Sequence, residues 1–356
     1  MTTEASPILL LWDRMGEYHL ARWRALQKAT PAQVFAADFL VSDQMYGWKS
    51  LNVEGHYRFA VDEQGRPRSA LMACVRCIRE KNIQTVCIPG YGRLSYVLLI
   101  LLCWLMGRKV LLFAESWYPG HPWKDAFKGA FLRTFVHGYL VSGVRARDHF
   151  RDRLRIPEER MRMGYSVVDN AHFASIPRKP DPRTLLCVAR FTPEKNLLAL
   201  VEAFDGSRLP EEGWRLKLVG GGPLVDRLKN WAGSTDSGEL MDWVSYQDMP
   251  QLFATATACI LPSTFEPWGL VVNEAMAVGC PVLVCDQVGA APDLITPETG
   301  WVFELHPTCD IRKALNIMAE TLPEEREAMG QRGKERIQGF SCEIWAQHLL
   351  ALEAQT

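Results

Sequence analysis

LPSTFEPWGLVVNEAMAVGCPVLVC, residues 261–285, has the pattern of a strand end, a loop, a helix and a second strand. Residues 258–261 are a short apolar run, residues 270–278 carry helical spacing, and residues 281–285 form a second apolar run. Gly269 stands where the loop becomes the helix, so the first N–H groups and the positive end of the helix dipole point beyond the strand. The stretch therefore predicts a β-loop-α-β unit with an anion site at this turn.

Two carboxylates accompany this anion site. Glu266 lies in the loop, and Glu274 lies about one turn into the helix. A carboxylate repels phosphate and accepts hydrogen bonds from neutral hydroxyls. The pair therefore indicates a ligand with hydroxyls on both sides of its phosphates, as in a nucleotide sugar. The alternative is that Glu266 is a solvated loop charge and Glu274 an exposed helix residue.

The same stretch resembles the donor-binding segment of retaining glycosyltransferases of the two-Rossmann-domain (GT-B) type, family 4, also called glycosyl transferases group 1. The matching residues are Pro262, Ser263, Glu266, Gly269, Leu270, Glu274, Ala275, Met276, Ala277, Gly279, Pro281 and Val282. Pro267 and Trp268 replace the commoner Gly-Phe. The resemblance implies an α/β fold of two Rossmann-like domains that face each other across a cleft. It also implies donor contacts from Pro267, Trp268, Gly269 and Leu270.

Arg190 and Lys195 lie five residues apart, after a predicted strand at residues 185–189. Lys195 has an alternative as a solvated first-turn residue. The resemblance implies that both cations hold the donor diphosphate and stabilise the negative charge of the leaving group. Further donor-binding residues implied by the resemblance are Gly16, Gly220, Gly222, Pro223 and Tyr246.

The acceptor side is predicted in the first half of the chain. Gly16 stands where the family usually has a Gly-Gly pair, and His19 follows it, with helix packing as its alternative role. Glu115 follows a predicted strand, at the position where the family often has His. A carboxylate there could bind or deprotonate an acceptor hydroxyl, or it could pair with Arg145 or Lys124. His121, in the next turn, is the second acceptor candidate.

Length and element pattern predict two domains. At 356 residues the chain exceeds what one core usually supports, and strand patterns alternate with helical patterns throughout. The expected boundaries are an N-terminal acceptor domain at 1–175, a C-terminal donor domain at 184–338 and a final helix at 339–356, which the resemblance implies packs back on the first domain. Residues 41–68 are predicted to be an irregular insertion.

Composition narrows the function classes. The net charge is −1 and the pI about 6.7, so nothing favours nucleic acid as a partner. Ten cysteines are scattered through the chain, which is typical of reduced thiols in a cytoplasmic protein. Cys74 and Cys77 form a lone C-x-x-C without a second pair at zinc spacing, so we interpret them as structural.

The longest apolar run, residues 94–106, has 13 residues. A membrane-spanning helix needs roughly 20, so the run predicts a buried helix. Its alternative is peripheral contact with a membrane, which would matter for a lipid acceptor.

These patterns and the resemblance together predict a metal-independent glycosyltransferase that moves a sugar from a nucleotide sugar to an acceptor hydroxyl. The resemblance implies that the anomeric configuration is retained. The predicted catalytic residues are Arg190, Lys195, Glu266, Glu115 and His121. UDP-sugars are the expected donors because they are common in the family, and the acceptor is a saccharide, a lipid-linked molecule or a small molecule. No cofactor is expected besides the nucleotide-sugar co-substrate, and no Asp-x-Asp metal motif occurs. The alternatives are a non-catalytic nucleotide-sugar-binding regulatory or scaffold protein and another sugar-phosphate enzyme on the same fold.

Overall fold

The computed structural model describes residues 6–39, 53–59, 69–118, 120–305 and 311–355. Contacts divide the chain into a first unit, Met1–Val167 with Cys342–Thr356, and a second unit, Val168–Ser341. The division after Val167 comes earlier in the chain than residue 175, where the first domain was predicted to end.

Seven parallel strands form the sheet of the first unit, in the order β3-β2-β1-β4-β5-β6-β7. Its elements through the last strand are β1 (Ile8–Trp12), α1 (Glu17–Ala29), β2 (Val34–Asp38), β3 (His56–Arg58), α2 (Ala70–Glu80), β4 (Thr85–Ile88), α3 (Leu94–Leu105), β5 (Lys109–Ala114), α4 (Pro122–Phe135), β6 (Gly138–Val141), α5 (Val144–Asp148), a π-helical turn (His149–Arg153), a 3-10 turn (Glu158–Arg160) and β7 (Met161–Met163). The inner strands are apolar and wholly buried, which is why they read as continuous hydrophobic runs.

Six parallel strands form the sheet of the second unit, in the order β10-β9-β8-β11-β12-β13. Its elements are α6 (Asn170–Phe173), β8 (Thr184–Val188), a 3-10 turn (Pro193–Lys195), α7 (Leu197–Asp205), β9 (Arg215–Val219), α8 (Val225–Ala232), β10 (Gly238–Met241), α9 (Met249–Thr255), β11 (Ala258–Leu261), α10 (Leu270–Val278), β12 (Val282–Cys285), α11 (Ala291–Leu294), β13 (Gly300–Phe303), α12 (Ile311–Glu320), α13 (Pro323–Arg336) and a 3-10 turn (Ile337–Gly339). Both sheets have strands linked by helices, so the predicted α/β class with two Rossmann-like units is confirmed.

The final helix, α14 (Cys342–Gln355), belongs to the first unit. It packs along α1 and against the last three strands of that sheet. Trp345 is wholly buried, with its ring 6.0 Å from the ring of Phe113, and His348 Nδ1 lies 2.7 Å from the carbonyl oxygen of Met163. This helix therefore covers one face of the first sheet.

Helix α3 corrects one prediction. Its inner side, including Leu99, Ile100 and Cys103, is buried, but Leu94 and Leu105 on its other side are exposed. The predicted buried helix is therefore wrong for the outer side, because no element of the described chain covers it. Within the described ranges, no helix is both long and apolar enough to cross a membrane.

The predicted insertion at 41–68 falls largely outside the described residues. Its described part, residues 53–59, contains β3, which pairs in parallel with β2. That strand was not predicted.

Cys74 and Cys77 both lie buried in α2, where burial raises the pKa of each thiol.

Candidate functional site

The site in the second unit lies beyond the carboxyl ends of β8 and β11. These strands are hydrogen-bonded neighbours, with Ala258 opposite Leu185, whereas β9 pairs with the other side of β8. The chain order therefore reverses between β8 and β11, and the loops that follow the two strands diverge there. Such a switch point is where open α/β sheets bind ligands.

Lys195 and Glu266 come together at this point. The Lys195 Nζ atom donates a hydrogen bond to Glu266 Oε2, joining the loop after β8 to the loop after β11. The two side chains are only 10% and 13% exposed. This burial overturns the alternatives that Lys195 and Glu266 are solvated surface charges. Pairing also offsets the cost of burying each charge.

Arg190 is held in the same loop by Glu194, at 3.9 Å between Nη2 and Oε1. Thr192 Oγ1 donates to Glu194 Oε1 at 2.6 Å. Burial raises the pKa of Glu194, but the hydrogen bond from Thr192 and the charges of Arg190 and Lys195 outweigh burial and hold the pKa below its usual value. Thr264 in the second loop donates its backbone N–H to the Glu194 carbonyl at 2.9 Å. The two loops are therefore joined by backbone as well as by charge.

A short turn separates β8 from the helix that follows it. Thr192 precedes a 3-10 turn, and Asn196 then adopts a left-handed conformation with φ +56° before α7 begins at Leu197. Lys195 is thus the last residue of a tight turn. It is not a first-turn residue of α7, which begins two residues later.

The glycine turn after β9 packs directly on the β8 loop. Gly220 and Gly222 have φ of +145° and +147°, and a Cβ on Gly220 would overlap the carbonyl oxygen of Ala189. Phe191 N–H donates to the Gly221 carbonyl at 2.8 Å. Glycine is required at these positions by both conformation and space. The turn leaves Gly222 and Pro223 exposed, while Gly220 is buried.

The loop from Glu266 to Gly269 is fixed by a neighbouring segment. Gly289 N–H donates to the Glu266 carbonyl at 3.0 Å, and Ala290 N–H donates to the Trp268 carbonyl at 2.9 Å. The Trp268 ring is buried and donates through Nε1 to Asn273 Oδ1 at 2.8 Å. The buried Trp268 side chain therefore holds the loop in place, and its ring is not exposed for contact with a ligand.

Gly269 is the N-cap of α10 and has φ +98°, so the helix starts directly from this fixed loop. Leu270 is its first residue and is half-buried. Glu274 is 1% exposed, which overturns the alternative of an exposed helix carboxylate. Ser263 is also wholly buried at the end of β11, and its Oγ has no hydrogen-bond partner among the described residues.

Tyr246 lies in the loop after β10. Its ring stacks on His172 at 4.3 Å between ring centroids and 9° between planes, and His172 Nε2 lies 3.0 Å from the Tyr246 carbonyl oxygen. Trp243, three residues earlier, is exposed beside Gly221. The segment thus combines one ring fixed by stacking with one exposed indole.

In the first unit, Gly16 is the N-cap of α1 and donates its N–H to His19 Nδ1 at 3.1 Å. The His19 ring stacks on Trp12 at 4.7 Å. Burial and the nearby Arg22 hold the pKa of His19 well below its usual value, so the ring is neutral at pH 7. His19 is therefore packed at the start of α1 against the end of β1, and its contact with an acceptor stays a prediction.

Glu115 and His121 lie after β5. Ser166 Oγ donates to Glu115 Oε1 at 2.6 Å, and Arg145 lies over the Trp117 ring at 4.7 Å. His121 is exposed at the N-cap of α4. The structure thus gives Glu115 a hydroxyl partner that the sequence did not predict.

A polar cluster at the same sheet edge was missed. Asp13 follows β1, and its carboxylate accepts a hydrogen bond from the Tyr96 hydroxyl and one from Arg93 Nη2 at 3.3 Å. β1 and β4 are adjacent strands. The available signal was that Asp13 and the Gly90–Arg93 loop each come directly after an apolar run.

The second unit matches the sequence model of a known protein family. Residues 168–336 match the family model described as glycosyl transferases group 1. An uncharacterized glycosyltransferase of Methanocaldococcus jannaschii is 30% identical over 138 residues, which are 37% of this chain and 35% of the relative. Sulfoquinovosyl transferase SQD2 of Arabidopsis thaliana is 27% identical over 218 residues, 56% of this chain and 39% of the relative. The chain thus matches well under half the length of these curated relatives.

A solved structure is similar over nearly the whole chain. The Anabaena protein Alr3699/HepE, in complex with UDP-glucose, aligns with a TM-score of 0.75 and 15% identity, covering 99% of this chain and 100% of that chain. At that identity the likeness establishes the fold alone, which is the GT-B fold of two Rossmann-like units.

Proposed function

We propose, from the match of residues 168–336 to the glycosyl transferases group 1 model, that the protein transfers a sugar from a nucleotide-sugar donor to an acceptor hydroxyl. The observation that carries the proposal is the Lys195–Glu266 contact at the switch point of the second sheet. It brings a cation and a carboxylate, to which we assign hydroxyl binding, beside the N-terminus of α10. A sugar diphosphate has the complementary groups.

The charges divide into two roles. Arg190, Lys195 and the first N–H groups of α10 bind the diphosphate and stabilise the negative charge that develops on it as the sugar departs. Because Lys195 neutralises Glu266, that carboxylate stands near phosphate with less repulsion. Glu266 is then available to accept hydrogen bonds from the hydroxyls of the transferred sugar, and Glu274 from the ribose.

The glycine turn and the loop after β10 surround the nucleotide in this proposal. Gly220, Gly222 and Pro223 let the backbone approach it closely, and the segment containing Tyr246 frames the base. Pro267, Trp268, Gly269 and Leu270 contribute backbone rather than rings, because Trp268 is buried.

We propose a UDP-sugar as donor, retention of the anomeric configuration and independence of metal ions. Frequency within the resembling family and the UDP-glucose complex of Alr3699/HepE support UDP. Retention follows the resembling family, in which the leaving phosphate takes the acceptor proton on the same face. Three positive groups at the diphosphate make a metal ion dispensable. On the acceptor side, the sheet edge of the first unit supplies Glu115, held by Ser166, and His121.

The test is incubation of the chain with UDP-, GDP-, ADP- and dTDP-sugars, each with saccharide, lipid-linked and small-molecule acceptors. Mass spectrometry follows free nucleotide and glycosylated acceptor. We expect one donor to be consumed with transfer, an equal rate in EDTA, and an unchanged anomeric configuration in the product by NMR. Lys195→Met should abolish most of the transfer, whereas Lys229→Met, on an exposed part of α8, should not.

Two outcomes would redirect the proposal. Donor binding without turnover, across all acceptors, would identify a non-catalytic nucleotide-sugar-binding protein. Phosphorolysis or isomerisation of a sugar phosphate without transfer would identify another sugar-phosphate enzyme. Absence of binding to every donor would reject the site itself.

A further inference from the structure

The outer side of α3 and α4 carries large apolar side chains in contact with solvent. On α3, Leu94 is 74% exposed and Leu105 is 70% exposed; on α4, Trp123 is 67% exposed and Phe127 is 76% exposed. Single exposed apolar residues are ordinary, but a contiguous group marks a binding surface. We name Leu94, Leu98, Trp104, Leu105, Trp123 and Phe127 the apolar face.

The two helices bring these residues into one surface. α3 and α4 each link successive parallel strands, β4 to β5 and β5 to β6, so the two helices run side by side in the same direction. At their C-terminal ends the Trp104 ring meets the Phe135 ring edge-on, 5.4 Å between centroids. Phe135 in turn lies 5.0 Å from Phe131. The apolar side chains of the two helices therefore meet at these ends.

Sequence spacing produces the stripe on α4. Aromatic residues recur every four positions at Trp123, Phe127, Phe131 and Phe135, which places them along one side of the helix. The inner two pack against their neighbours, and the outer two project into solvent. Exposed aromatic side chains that do not pack into the core lower the solubility of a protein. Such a row therefore indicates a surface that another molecule covers.

The exposed charges that α3 and the first two turns of α4 contribute are basic. α3 contains no charged residue, and the exposed charged residues of the first two turns of α4 are Lys124 and Lys128. Asp125, the acidic residue between them, is buried; it accepts the Gly120 N–H at 3.1 Å and pairs with Lys128 at 3.8 Å and with Arg153 at 3.7 Å. Lys124 Nζ lies 5.4 Å from the centre of the Trp123 ring. Because the whole chain has a net charge of −1, this local positive charge is not a general property of the molecule.

We propose that the apolar face docks on the surface of an anionic lipid bilayer. Trp, Phe and Leu side chains bordered by Lys are the composition of elements that lie in the headgroup region. A protein partner is the weaker fit, because Lys is depleted where protein interfaces are buried. Docking would be peripheral, since no described helix is long enough to span the membrane. The inference goes beyond sugar transfer and does not rest on it, because vesicle binding needs neither donor nor acceptor.

The test is flotation of the full chain with phosphatidylcholine vesicles and with vesicles of equal parts phosphatidylcholine and phosphatidylglycerol. We expect flotation with the anionic vesicles and little with the neutral ones. Trp123→Ser/Phe127→Ser should weaken vesicle binding more than about tenfold, as should Lys124→Gln/Lys128→Gln. Added salt should weaken the wild type and leave the lysine variant nearly unchanged.

Matched controls lie in the second unit. Ile317→Ser removes an exposed apolar residue of α12, and Lys179→Gln/Lys229→Gln removes two exposed charges; both should float like the wild type. Circular dichroism would check that each variant is folded, and the single variant Trp123→Ser serves if the double variant is not.

Three results would overturn the proposal. These are failure of the wild type to float with anionic vesicles, equal flotation of the wild type and both double variants, and a dimer in sedimentation velocity that Trp123→Ser/Phe127→Ser dissociates while vesicle binding is absent. The last result would assign the face to a second copy of the chain.

Discussion

Lys195 and Glu266 contact each other from loops that follow adjacent strands, 71 residues apart in the chain. Lys195 ends a 3-10 turn and Glu266 lies in an irregular loop, so no α-helix or strand holds either side chain. The contact therefore fixes the position of both groups before a ligand arrives. Preorganised charges of this kind are more effective than charges that must be ordered during binding.

Removing one partner should expose this coupling. Lys195→Met leaves the largely buried Glu266 carboxylate without its cation and should destabilise the second unit by about 1–3 kcal/mol. Lys195→Met/Glu266→Gln should cost less than the sum of the single variants. Urea denaturation of the four proteins in a double-mutant cycle measures the coupling. Additive costs would show that the contact contributes nothing to stability.

Glu274 should affect ligand binding without weakening the fold. Glu274→Gln keeps the side-chain size and removes the charge, so the folded chain avoids burying a carboxylate. Loss of a charge-assisted hydrogen bond should weaken nucleotide-sugar affinity about tenfold or more, measured by calorimetry. Glu325→Gln, on the exposed side of α13, is the matched control. Wild-type donor affinity in Glu274→Gln would remove Glu274 from the site.

Gly220 should tolerate no side chain. In Gly220→Ala the new Cβ would overlap the Ala189 carbonyl oxygen, and φ +145° is strained for alanine. We expect a loss of more than about 1 kcal/mol in the free energy of unfolding together with weaker donor binding. Gly339→Ala meets no atom within 4 Å and should change stability by less than about 0.5 kcal/mol. Equal stability of the two variants would contradict the close approach of the glycine turn.

The pH dependence of stability should carry a contribution from His19. Its folded pKa lies well below 6.5, so as the pH falls below about 6.5 the unfolded chain takes up a proton that the folded chain does not. The free energy of unfolding should therefore fall toward low pH by up to about 1.4 kcal/mol per pH unit for this group. His137 and His149, whose pKa values burial also lowers, act in the same direction.

His19→Gln isolates this contribution, because Gln retains an acceptor for the Gly16 N–H. Denaturation between pH 7 and 5 should show a shallower fall than in the wild type, and the two slopes should agree above pH 7. An unchanged slope would mean that His19 is protonated as readily in the folded chain as in the unfolded one.

Local pattern was sufficient for the elements around the site. The predicted strand at 258–261 and helix at 270–278 match β11 and α10, because apolar runs, glycine breaks and helical spacing are signals within the segment itself. Fold class followed from the alternation of such segments. The late start of α7 was missed, since nothing local marks the left-handed Asn196.

Relationships between distant segments were the part that sequence could not supply. Ser166 donates a hydrogen bond to Glu115 from 51 residues away, and no local pattern points to that contact. Exposure of α3 was also missed, because an apolar run gives hydrophobicity but not which sides the neighbouring helices cover. The Glu115 contact and the exposure of α3 both depend on the order of the strands in the sheet, which no local sequence pattern determines.

The membership of α14 in the first unit has a consequence for synthesis. Residues 168–341 lie between the last strand of that unit and the helix that covers α1. At about 5–20 residues per second, the ribosome needs roughly 9–35 s to translate this interval. During that time one face of the first sheet is without Trp345 and the rest of its cover. The first unit therefore begins to fold first but is completed last, and its uncovered face is the surface that a nascent-chain chaperone would protect.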